Sequence, residues 1–173
     1  MIQAAAAFEF KNVAIHAATN RALNALLAAQ FPIGGFPQVW TGPVSKQPIV
    51  QANFPDHDYR TDGHLKNYWD TPTLNDNVCV HVAHALRDAY QTYKDTKYLD
   101  ALKKLGDFLL LAQMPNPQPA WAQQCNYQMQ PTWARRFERP AIASHESYGC
   151  GHYRSYCART NVCRLGLKAS SRI

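Results

Sequence analysis

A chain of 173 residues has room for one domain with a sizeable core, and 46% hydrophobic with 17% charged is a globular composition. No apolar run approaches the roughly 18 residues of a membrane-spanning helix, and residues 1–7, though apolar, lack the basic lead and full apolar region of a signal peptide. The net charge of +6 excludes less than it suggests: Arg154, Arg159, Arg164, Lys168 and Arg172 stand in an acid-free tail, so the body is near neutral and gives no ground for a nucleic-acid partner.

Residues 1–18 carry no strong signal. Thr19 reads as an N-cap, and Ala22, Leu23, Leu26, Leu27 and Gln30 follow at helical spacing until Pro32 and Gly34-Gly35. Residues 36–40, FPQVW, read as extended. Residues 41–70 are irregular, broken by Pro43, Pro48 and Pro55, while Tyr59, Tyr68 and Trp69 favour an ordered loop. A second helix is predicted from Asn75-Asp76-Asn77 to about Tyr93, with Val78, Val82, Ala85, Leu86 and Ala89 as its apolar stripe. A third starts after Thr96 and turns Tyr98, Leu99, Leu102, Leu105, Leu109 and Leu110 inward. Strand signals are nearly absent, so the predicted fold is all-α.

A weak internal repeat links residues 22–32, ALNALLAAQFP, with residues 105–115, LGDFLLLAQMP. Both lead into a Pro-rich loop bearing a tryptophan, Trp40 and Trp121. Stacked helical hairpins with long loops at one end would follow. That end would collect Trp40, Asp76 and the loop at residues 119–138.

That loop, PAWAQQCNYQMQPTWARRFE, has neither a helical stripe nor a clean alternation. Trp, Arg, Gln and Glu presented together suit binding or catalysis; Trp121 and Trp133 folded inward as plugs suit the residue types equally well. Arg135 and Arg136 either pair with Glu138 as a structural salt bridge or form a cationic site for a substrate carboxylate. Asp76 between two asparagines at a helix start either caps backbone N–H groups or offers oxygen to a hard cation such as calcium. The cysteines are odd in number, Cys79 and Cys125 in the body and Cys150, Cys157 and Cys163 in the tail, so no closed disulfide set exists. With His145 and His152 they match none of the usual zinc spacings.

Residues 119–147, PAWAQQCNYQMQPTWARRFERPAIASHES, resemble the pectate lyases of polysaccharide lyase family 10. Residues 30–38, QFPIGGFPQ, and residues 73–77, TLNDN, fit the same family in order, and the resemblance covers about residues 20–148. It implies part of an (α/α) toroid and calcium-dependent anti β-elimination of polygalacturonate. It implies Arg135 as the base, Asp76 as a ligand of metal or substrate, and Trp121, Gln124 and Glu138 as substrate-binding residues. A guanidine accepts a proton only after losing its own, against a pKa of about 12 or higher.

The expected organisation is an incomplete lyase-like domain at residues 1–148 and an unrelated, disordered basic tail at residues 149–173. An earlier Asp-Asn pair of the family is missing from residues 1–18, and its Ser-Gly-Gly-Glu-Ser becomes Ser144-His-Glu-Ser147. A one-base frameshift near Gly149 is the expected origin of the tail, since codons for residues 149–159 read one base later can spell the apolar VVVTTDLIARV. The working form is expected to be a monomer. Relatives are typically exported, though the compartment is not legible here. The alternative is an inactive remnant that at most binds acidic polysaccharide.

Overall fold

The computed structural model describes residues 1–44 and 46–159, and for residues 146 and 153–159 the backbone alone. Five helices follow in order: α1 Ile2–Ala7, α2 Val13–Ala28, α3 Val78–Tyr93, α4 Thr96–Leu111 and α5 Ser144–Arg159. Short 3-10 turns stand at Tyr68–Asp70 and Asn75–Asn77. No strand forms among the described residues; isolated bridges such as Thr73 with Gln124 and Gln113 with Trp121 tie loops together. The described chain is helical, as predicted, and none of its helices is long and apolar enough to cross a membrane.

The first helical region differs from the sequence reading. Residues 2–7 already form α1, and α2 begins at Asn12, whose Oδ1 accepts the Ile15 N–H at 3.1 Å. Thr19 is inside α2 and buried, and its hydroxyl donates to the Ile15 carbonyl at 2.8 Å. A threonine bonded four residues back can serve a helix interior as readily as a cap, and sequence alone does not separate the two.

The hairpin of α3 and α4 is the centre of the core. Lys94 adopts a left-handed conformation at the end of α3 (φ 56°), and Asp95 caps α4 by accepting from Lys97 N–H at 3.0 Å. The two helices therefore turn back on each other within two residues, and α4 also packs on α5. Ala83, Leu86 and Ala89 are fully buried on α3; Leu105, Phe108 and Leu109 are fully buried on α4. The α3 stripe is rotated from its predicted phase. Cys79 and Ala83 face inward, while Val78, Val82 and Ala85 are half-buried. Val78 and Val82 face an open groove between α2 and α3.

The glycine pair after α2 does more than end a helix. Gly34 has φ +102°, and a Cβ there would stand 2.1 Å from the Lys104 carbonyl oxygen on α4. Gln30 secures the approach, donating to the carbonyls of Gly34 and Ala101, each at 2.9 Å. Its counterpart in the repeat, Gln113, donates to the Pro119 carbonyl at 2.8 Å. Both repeat units thus end with a glutamine that ties down the loop it introduces. The long irregular loop is ordered by similar ties: Ala52 N–H donates to Leu111 O at 2.7 Å and Asn53 N–H to Met129 O at 3.2 Å.

Helix α5 crosses the expected boundary at 148/149 without a break, and Cys150 is buried against the core. Residues 149–159, expected to belong to the disordered tail, lie within this helix. The remainder of the expected tail, with Cys163, lies outside the described residues. Cys79, Cys125 and Cys150 are buried, and burial pushes the Cys125 thiol up to about 12.

Candidate active site

The Trp-rich loop is moored to the start of α3 by backbone. Gln123 O accepts from Leu74 N–H at 3.1 Å and Asn75 N–H at 2.9 Å. These donors belong to the turn before α3, so the 119–138 loop partners the backbone that leads into the helix. Gln124, next in sequence, is 1% exposed. Its amide donates to Thr71 Oγ1 at 2.6 Å and Tyr68 O at 2.9 Å, and its Oε1 accepts from Thr73 Oγ1 at 3.0 Å. Trp121 is 5% exposed and donates from its indole to Leu109 O at 2.8 Å, while its backbone N–H donates to Ser147 Oγ at 3.1 Å. Trp133 is also buried, stacked at 3.9 Å on His64. The tryptophans of this loop are plugs. Trp121 and Gln124, expected to bind substrate, have internal side chains committed to holding the loop.

With the loop held in this way, its far end arrives over Asp76. A tight turn, in which Glu138 N–H donates to Arg135 O at 2.7 Å, folds Glu138 back beside Arg135. Arg135 donates from Nε to Glu138 Oε2 at 2.7 Å and from Nη2 to Glu138 Oε1 at 2.6 Å. The same Nη2 reaches both oxygens of Asp76, at 3.2 and 3.1 Å. Asn75 Nδ2 donates to Glu138 Oε1 at 3.3 Å, and Gln38 Nε2 donates to Asp76 Oδ2 at 2.6 Å. The Arg135 and Asp76 side chains remain 37% and 44% exposed, and Glu138 only 15%. The cluster therefore sits at the surface with its guanidinium accessible and its principal carboxylate half enclosed.

The electrostatics follow from these distances. The Glu138 carboxylate, with help from Asp76, drives the Arg135 guanidinium well above its already high ordinary range. In turn the Arg135 hydrogen bonds hold Glu138 below the usual carboxylate range, against the partial burial that opposes them. Both groups are fixed in their charged forms in the free protein.

Asp76 does not cap α3. It lies in a left-handed conformation (φ 53°), and no side chain caps the helix at Asn77. Its position is stabilised by Asn75, whose Oδ1 accepts the Asp76 N–H at 2.8 Å. The resulting backbone kink aims the carboxylate at Arg135. Calcium takes six to eight oxygens. Among the described residues no group of three or more His, Cys, Asp or Glu is gathered, and both oxygens of Asp76 already accept from a guanidinium. The donor set does not fit a resident calcium ion. A cation at Asp76, the expected metal ligand, would compete with the positive charge of Arg135.

Sequence reasoning missed Gln38 and Asn75 as members of the cluster. Both lie in stretches it had singled out, residues 30–38 and 73–77, but their partners are 38 and 63 positions away in sequence.

No curated protein and no solved structure matches the chain. A family model described as pectic acid lyase matches residues 2–157. The match includes α1, all five residues of the cluster and most of α5, so it reaches further at both ends than the motifs alone. On that match the chain belongs to the pectic acid lyase family.

Proposed function

We propose that the chain is a lyase of the polysaccharide lyase family 10 type acting on pectate, with Arg135 at its centre and its helices part of an (α/α) toroid. The observation that carries this reading is the Arg135 guanidinium, held in place by Asp76 and Glu138 yet open to solvent. Each ring of polygalacturonate has a carboxylate next to C5. A fixed cation beside that carboxylate stabilises the enolate-like charge that develops as the C5 proton leaves. The C4–O bond then breaks, a double bond forms between C4 and C5, and the departing oxygen takes up a proton.

In this proposal Arg135 meets the uronate carboxylate first, as a cation. The family resemblance also gives it the part of base. Glu138 and Asp76 oppose that part, because they favour the charged form. A neutral guanidine forms only as bound substrate or strongly alkaline solution loosens the clamp. Glu138 is a positioning residue here, and Trp121 and Gln124 support it from behind. Calcium, expected from the resemblance, is given no step, because among the described residues no group of three or more His, Cys, Asp or Glu is gathered to hold it.

The test is incubation with polygalacturonate at alkaline pH, with and without added calcium, following ultraviolet absorbance of the unsaturated product. Arg135→Ala is expected to lower the rate by about a hundredfold or more. Undiminished activity in a folded Arg135→Ala protein refutes the assignment. The clamp's preference for the cation favours one second reading, a non-catalytic binder of acidic polysaccharide. Retardation in a pectate gel with no unsaturated product decides for it.

A further inference from the structure

We propose that Trp40 is a stacking platform for a galacturonosyl ring neighbouring the one at Arg135, an inference that rests on the pectate reading above. Of the four tryptophans, Trp121 and Trp133 are buried and Trp69 is half-buried, whereas Trp40 is 42% exposed. An indole left in water is costly unless something covers it, and tryptophan pairs an apolar face with a polar edge. The backbone just before Trp40 is tied down. Gln38 and Val39 donate their N–H groups to Trp69 O at 3.0 and 3.3 Å. The Gln38 side chain, two residues away, donates to Asp76, which Arg135 also contacts. Trp40 thus stands two residues after Gln38, which shares Asp76 with Arg135.

Trp40 and Asp76 line one groove of about 410 Å³ between α2 and α3, with Leu26, Phe36 and Val82 as its apolar wall and Gln38 beside the carboxylate. Such a volume is within the range of small-ligand clefts. The chemistry is mixed: an apolar wall, one indole, and amide and carboxylate groups along one edge. A pyranose ring has the same mixture, C–H faces for the indole and hydroxyls for the polar edge. A purely ionic ligand would leave the indole uncovered.

The test uses the full chain as wild type, Trp40→Ala, Trp40→Phe and Arg135→Ala, with oligogalacturonate as the probe and polyglutamate as a ringless polyanion. Trp40→Ala is expected to weaken oligogalacturonate binding about tenfold, as loss of a small apolar contact would. Trp40→Phe, which keeps an aromatic face, should stay within about threefold. Polyglutamate binding should not distinguish wild type from Trp40→Ala. In wild type, saturating oligogalacturonate should protect tryptophan emission from acrylamide quenching, and that protection should vanish in Trp40→Phe. Equal affinity of wild type and folded Trp40→Ala, with binding weakened in Arg135→Ala, overturns the platform and leaves the pectate reading standing. Unchanged acrylamide quenching in wild type overturns it without any variant. Failure of wild type to bind oligogalacturonate removes the pectate reading and the platform with it.

Discussion

The ion-pair cluster predicts a pH-dependent contribution to stability that Glu138→Gln should remove. The substitution keeps the shape and one acceptor oxygen but deletes the charge that Arg135 contacts at 2.6 and 2.7 Å. Hydrogen bonds to charged groups contribute about 1.5–3 kcal/mol each when sheltered. The Arg135 side chain is 37% exposed, and water screens it, so about 1–2 kcal/mol for the whole contact is the appropriate scale. In a chain of this size that corresponds to a fall in Tm of about 2–8 °C at neutral pH. The sign with pH follows from the depressed carboxyl of Glu138. Its contribution is present above the unfolded value near 4.5 and is lost as pH falls through the lower folded value. Arg135 shifts upward, so its contribution persists throughout that acid range. Circular-dichroism melts of wild type and Glu138→Gln should differ at pH 7 and converge near pH 3. A difference that is as large at pH 3 as at pH 7 would refute the ionic account and assign the loss to shape alone.

The buried Gln124 offers a sharper stability test, because Gln124→Ala leaves the hydroxyls of Thr71 and Thr73 without their amide partner. A loss of about 2–3 kcal/mol in urea unfolding is expected. A loss under half a kilocalorie would mean that water replaces the amide freely. Gly34→Ala should cost about 3 kcal/mol or more, since its Cβ would meet the Lys104 carbonyl at 2.1 Å in a left-handed backbone. A Tm within a degree of wild type would show that the α2–α4 approach relaxes. Calcium at millimolar concentration should leave the Tm of the ligand-free protein unchanged; a rise of several degrees would reveal a resident site and contradict the donor-set argument.

Much of the fold was legible because it depends on local pattern. Helices α3 and α4 were visible from apolar spacing, and Pro32 with the paired glycines marked the end of α2. The site was legible as a set of stretches but not as contacts. Arg135, Glu138 and Asp76 were named from residue type and family motif, and Asp76 to Arg135 spans 59 positions. The tryptophans show the limit most clearly. Trp40 and Trp121 occupy matching places in the weak repeat, and nothing in either flank says which is covered. Trp121 is covered because its indole donates to Leu109 O and α5 lies beside it; Trp40 lines an open groove with residues of α2 and α3.

Sequence by itself determined the helical class, helices α3 and α4 and the residue types gathered for ionic chemistry, because periodicity, proline and charge act over a few neighbours. Tertiary structure alone decided the phase of α3, the burial of Trp121 and Gln124, and the use of Asp76 as a partner for Arg135 in place of a helix cap. Those outcomes depend on which distant backbone groups need a partner, and Gln123 O meeting the start of α3 is the contact that brings them about.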